Sequence, residues 1–262
     1  MTRTIRAEWV RLLRTTSLLA IGLPFVVLPA LITVFAFAAG SGKPGPGPAS
    51  HLTVSAAELA AWDGYVAGLR SASTVIGVMV MVMVTTSLGG DYTHATLRNL
   101  LIRQPNRLRF FLGKLLAILT VVVVVAAVAV AVSIMAAWIA ARSYGVSTGA
   151  WASILTQSAA SWLGLVAAAI GWAAAGAALV TLLRSTAAAI AVGVVWALPV
   201  EASLSAAWPG GERWLPAAVF SAVANGGTET IALATAATVG ALYAAAAYAV
   251  AASVFRARDV RA

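Results

Sequence analysis

From Ser158 to Val200 the chain runs 43 residues with one charged side chain, Arg184. As a single helix, rising about 1.5 Å per residue, that block would reach about 64 Å. The hydrocarbon core of a bilayer is roughly 30 Å thick, so the block fits two crossings and not one. The tight turn between them belongs at Arg184, in "LLRSTAA". The rest of the chain has the same character. Hydrophobic residues make up 61% and charged residues 10%, against about 25% charged in a soluble domain. Mean hydropathy is +0.95. An aqueous fold of 262 residues has no way to hide that much apolar surface, so lipid is the solvent and the expected class is an all-α integral membrane protein.

Six spans are read from the apolar blocks, at 17–39, 65–88, 110–140, 158–183, 186–206 and 230–255. They form one transmembrane domain covering residues 1–262. The third block exceeds one crossing, so its start projects into water or its helix tilts. Thirteen of the 17 basic residues fall on one side: Arg3, Arg6, Arg11 and Arg14; Arg98, Arg103, Arg107, Arg109 and Lys114; Arg184; and Arg256, Arg258 and Arg261. Lys43, Arg70, Arg142 and Arg213 fall on the other, together with Glu58, Asp63, Glu201, Glu212 and Glu229. The positive-inside rule then puts both termini in the cytoplasm, which an even number of spans allows. The net charge of +9 is read through the same rule, so no nucleic-acid partner is expected. Arg outnumbers Lys 15 to 2 and Ala and Val abound, a bias that suits a GC-rich bacterial genome and a bacterial cytoplasmic membrane.

The first span has a basic front and an A-x-A-like end, "AFAAG". Its apolar run is longer than the core of a signal peptide, so an uncleaved anchor is expected. Before it, Ile5, Trp9, Leu12 and Leu13 share one helical face while Arg3, Arg11 and Arg14 take the other. Residues 1–16 are therefore read as an amphipathic helix in the membrane interface, with Trp9 at headgroup depth and Arg11 and Arg14 on phosphates. The outer loop 40–64 contains "GSGK". It fails the phosphate-loop pattern, because Phe37 stands where the first Gly belongs and Pro44 follows Lys43. Its Pro/Gly repeat reads as a solvated linker. With no cysteine, disulfides, thiol catalysis and Cys-ligated metals are excluded. His51 and His94 are the two histidines, and H-E-x-x-H does not occur.

Between the second and third spans lies the densest polar segment, "GGDYTHATLRNLLIRQPNRLRFFLGK", carrying five of the basic residues. Each Arg at mid-membrane costs about 2.5–3.5 kcal/mol even on the mild insertion scale. The loop 89–109 therefore sits in water or among headgroups. Gly89-Gly90 is expected to end the second span, and Asp91 to cap a new helix from Tyr92 to Arg103 that Pro105 stops. Leu97, Leu100 and Leu101 share a face of that helix. Arg107, Arg109 and Lys114 then anchor the start of the third span at lipid phosphates. An apolar face at the cytoplasmic surface meets either lipid, in a skimming helix, or a protein. The shaped helix favours a docking site for a cytoplasmic partner.

The run "GGDYTHATLRNLLIRQPNRLRFFLGKLLAI" resembles the intracellular loop of type-2 ABC transporter permeases, the exporter-class membrane subunits. That family often shows an acid, Tyr and Ser/Thr, then a small residue, Thr, an aliphatic residue and Arg, followed by P-x-R and Lys. Asp91, Tyr92, Thr93, Ala95, Thr96, Leu97, Arg98, Pro105, Arg107 and Lys114 match these places. The family's usual Glu is Asp91 here, its usual Gly is Ala95, and His94 intervenes. The start "RAEWVRLLRT" resembles the family's basic, Trp-containing N-terminal segment. The resemblance implies a separate ATPase subunit holding ATP and Mg, with no cofactor or metal on this chain, which is then not itself an enzyme. It implies two permease copies, identical or related. It makes Tyr92–Arg103 the coupling helix seated on the ATPase, with Asp91, Tyr92, Thr93, Thr96, Leu97, Arg98, Leu100, Leu101 and Arg103 as the coupling residues, and gives the turn at Arg184 a minor second contact. It also implies that the loop 207–229 dips back as a helical hairpin. The expected substrate is hydrophobic or amphipathic, such as a drug, antibiotic, peptide or lipid, moving past the first, second and fifth spans near Thr85, Thr86 and Ser87.

Two other classes fit these residues less well. A proton- or sodium-coupled carrier needs an ionisable relay in mid-membrane, and Arg70, Arg184 and Glu201 all fall near predicted span ends. A non-transporting membrane anchor or immunity protein explains the hydrophobicity but not a shaped helix at 91–103. Gly164, Gly171 and Gly176 in the fourth span are read as packing positions, and Pro24 and Pro29 as kinks in the first.

Overall fold

A computed structural model describes residues 8–10, 22–40, 55–61, 63–93, 107–151 and 154–257. The described chain is helical, in the order α1 (Leu23–Gly40), α2 (Ala56–Ala60), α3 (Ala67–Ser71), α4 (Ser73–Thr93), α5 (Arg107–Tyr144), α6 (Ile154–Leu183), α7 (Thr186–Val195), α8 (Glu201–Ala207), α9 (Pro216–Ala224) and α10 (Leu233–Ala257), with no strand among the described residues. Among the described residues, six helical stretches are long and apolar enough to cross a membrane: Leu23–Gly40, Ser73–Gly90, Leu108–Tyr144, Thr156–Leu183, Thr186–Ala207 and Leu233–Arg256. The all-α membrane architecture expected from hydropathy is the one observed.

The two central spans are α4 and α6. Their shared core holds Met81, Val84, Trp172, Ala173 and Val180, all buried. Small residues bring the axes together. A Cβ at Gly176 would come within 2.7 Å of the Met81 carbonyl. Gly164 and Gly171 likewise make room, but for the Ala224 backbone and the Phe220 ring of α9 rather than for another span. α1 lies along α5, and α10 along α6. α1 passes through Pro29 as a helix, and the Thr33 hydroxyl donates to the Pro29 carbonyl at 2.8 Å. α5 holds 38 residues, about 57 Å of helix, so it outruns a core of roughly 30 Å.

Two places differ from the sequence reading. The second span starts at Ser73, not near Tyr65, because a 3-10 turn (Gly64–Val66) and α3 precede it. Tyr65 and Phe37 pack there on Trp151, whose indole N–H donates to the Leu59 carbonyl at 3.0 Å. The Asp63–Arg70 ion pair, at 2.6 Å, closes the same corner. The fifth span is not one α-helix: a π-helical turn, Trp196–Val200, separates α7 from α8 and contains Pro199, whose missing N–H is a recognised cause of such breaks. The segment 207–229, expected to dip back, contains α9, which packs along α4, α6 and α10. α9 meets α6 between Gly164 and Gly171, about 15–25 Å in from the first residue of α6, so it lies beside the bundle's interior rather than beyond its end.

Candidate functional site

The sequence points to the loop between α4 and α5, and the structure describes both of its roots. α4 does not stop at Gly89-Gly90. It continues to Thr93, so Asp91 is part of this helix rather than the cap of a new one. The glycine serves contact, not termination: a Cβ at Gly89 would collide with Thr186 Oγ1 and reach within 3.0 Å of Val180 Cγ2. The turn between α6 and α7 is thereby pressed onto the last turns of α4. That turn is tight, as expected. Arg184 adopts φ of 55°, the left-handed region that costs an L-residue about 1–2 kcal/mol. Ser185 then caps α7, its hydroxyl accepting from the Ala188 N–H at 3.3 Å.

A polar junction stands at the base of the loop. Ser87, on α4, donates its hydroxyl to Glu8 Oε1 at 2.6 Å. Lys114, on α5, donates from Nζ to the Ser87 carbonyl at 2.7 Å and lies 3.8 Å from Glu8 Oε2. All three residues are buried, Lys114 to 1% exposure. This corrects the expected role of Lys114 as an anchor on lipid phosphates. Its ammonium sits about 10 Å along α5 from Arg107, at a height where Ser87 and Glu8 supply oxygen ligands, and it turns inward to them. An ion pair removed from water gains little net stability, yet deleting one partner costs about 3–5 kcal/mol because the other is left buried and bare. Next to Glu8, Trp9 is 41% exposed and donates its indole N–H to Thr120 Oγ1 of α5 at 2.8 Å. The N-terminal segment is thus fastened to the bundle on one side while Val10 faces outward at 61% exposure.

Of the other residues singled out from sequence, Arg107 opens α5 and Arg109 is exposed in its first turn. Tyr92 and Thr93 extend α4. Thr96, Leu97, Arg98, Leu100, Leu101 and Arg103, with Arg11 and Arg14, lie outside the described residues. Thr85 and Ser87 do not face a path beside the second span. Both are buried, Thr85 with its hydroxyl 3.4 Å from the Gly176 carbonyl. The face α4 leaves half-exposed is Val75, Met79, Val82 and Thr86, at helical spacing.

Sequence reasoning placed Glu201 among outer charges near a span end. It is 3% exposed, within the fifth span, and holds the start of α9. Its carboxylate accepts from the Ala217 N–H at 2.8 Å, the Ala218 N–H at 3.2 Å and the Trp196 indole N–H at 2.6 Å. These amides belong to the first turn of a helix, where N–H groups lack internal partners and favour a carboxylate. The available signal was "WLPAAVF", a Pro at the first position of an apolar helix. One acid in a basic segment carries no periodicity, so nothing in the sequence singles out Glu8.

A family model described as ABC-2 family transporter protein matches residues 4–200, from the N-terminal segment through the π turn of the fifth span. No curated protein matches the chain.

Proposed function

The chain belongs to the ABC-2 family of transporter proteins and is a multi-pass transporter permease, and we propose that it serves an ATP-driven exporter whose ATPase is a separate subunit. The observation that carries this reading is the family match across residues 4–200, which takes in both roots of the loop 94–106. On this reading the loop docks on a cytoplasmic ABC ATPase, which holds ATP and Mg, and both termini face the cytoplasm of a bacterial cell. Asp91 to Thr93 continue α4 toward the docked segment, so a push on it is delivered along the axis of the second span. The segment 207–229 is re-entrant from the outer side, with Glu201 fixing its returning helix.

A second permease copy, identical or related, is expected against the half-exposed face of α4 and the exposed Val192, Val195 and Trp196 of the fifth span. The seam between copies would be apolar, which suits a hydrophobic or amphipathic substrate such as a drug, antibiotic, peptide or lipid. An ABC ATPase encoded beside this chain, if the neighbouring reading frame holds one, is the natural partner to test. It is expected to co-purify with the permease in detergent. Failure to co-purify under conditions where the permease stays folded overturns the assignment.

A further inference from the structure

The junction of Glu8, Ser87 and Lys114 joins three separate parts of the chain. Ser87 lies just before the loop between α4 and α5, Lys114 just after it, and Glu8 on the segment that leads into α1. The bond from Lys114 reaches a backbone carbonyl of α4, not a side chain, so α5 cannot slide past the end of α4 without breaking it. Glu8 is tied to both partners at once, and the neighbouring Trp9 adds a bond to α5 six residues beyond Lys114. An apolar trio of the same volume would hold these elements together at least as firmly. What directed, charged contacts add is registry, since they hold only one relative placement of the three elements.

We propose that Glu8, Ser87 and Lys114 form a positioning junction that passes movement of the loop between α4 and α5 to the N-terminal segment and through it to α1. The inference rests on the proposed docking of that loop on an ATPase. The two loop roots and the N-terminal segment then move as one unit, and the first span follows the second. The three side chains touch neither nucleotide nor substrate and act only through the elements they connect.

The chain has no cysteine, so Val10→Cys supplies a unique thiol beside the junction on an exposed position. The permease is labelled there with an environment-sensitive fluorophore, assembled with its ATPase, and reconstituted in vesicles of phosphatidylethanolamine and phosphatidylglycerol. ATP with vanadate is then added to trap the closed ATPase. The trapped state is expected to shift the emission in the otherwise unaltered complex. Glu8→Lys and Lys114→Glu are each expected to reduce that shift at least threefold while the ATPase stays bound. The double reversal is expected to restore at least half of it, which a loss of packing alone would not do. If neither single reversal assembles, Glu8→Gln and Lys114→Met are read in their place, with the same loss expected. The inference is overturned if single variants keep the full shift with the ATPase bound, or if the double reversal recovers nothing. A complex that holds its ATPase but shows no shift at position 10 contradicts the junction alone. A permease that binds no ATPase contradicts the docking reading, and the junction falls with it.

Discussion

Glu201→Ala removes the acceptor from three donors at once, the Ala217 and Ala218 amides and the Trp196 indole. Leaving a buried donor unsatisfied costs about 1–3 kcal/mol. Water entering the vacated space recovers part of that, so the expected loss is about 3–5 kcal/mol, as for other broken buried charge networks. At about 2–4 °C per kcal/mol for a chain of this size, the midpoint falls by about 6–20 °C. Glu201→Gln keeps one acceptor oxygen and loses about 1–2 kcal/mol. Thermal unfolding of the purified chain in detergent, followed by tryptophan emission, measures both. The damage should centre on α9, whose Ser221 bonds Ser73 at 2.8 Å. Ser221→Cys, a unique thiol in this chain, is expected to react at least tenfold faster with a maleimide when Glu201 is Ala. Equal midpoints and equal thiol rates for Ala and Glu would refute the view that this carboxylate holds α9 in place.

Gly89→Ala forces a Cβ into Thr186 Oγ1 and is expected to cost about 1–3 kcal/mol in detergent unfolding, part of which Thr186→Ala should return. Arg184→Gly relieves the left-handed turn and should raise stability by up to about 1 kcal/mol, whereas Arg184→Val should lower it. A reporter fused after Ala262 is expected to be active only in the cytoplasm, and an external signal would contradict the proposed topology.

What sequence could reveal here followed from average properties of long segments. Six spans were readable because each is an apolar run of sufficient length, and the turn at Arg184 because a block twice the bilayer thickness must fold back. Local contacts were not readable. A count of cations sees Lys114 near the start of a span and assigns it to phosphates. Only the packed structure shows that Ser87 and Glu8, from two other elements, meet it there. Gly89-Gly90 looks like a helix stop, yet Gly89 permits the close approach of Thr186, and α4 runs on. Glu201 fell near a predicted span end and so read as solvated. Its real partners are amides 16 and 17 residues later, a pairing that depends on how α9 returns. Hydropathy alone extends the second span to Tyr65, although Asp63 and Gly64 beside it favour the short turns observed.

ATP turnover by the partner ATPase tests the central claim most directly. It should be compared alone, with the unaltered permease, and with the permease carrying Asp91→Ala and Arg98→Ala, all in the same lipid vesicles. The account predicts that the unaltered permease changes the turnover rate and that the double variant does not. An identical effect from both permeases would contradict the assignment of this loop as the place where ATP-derived work enters the chain.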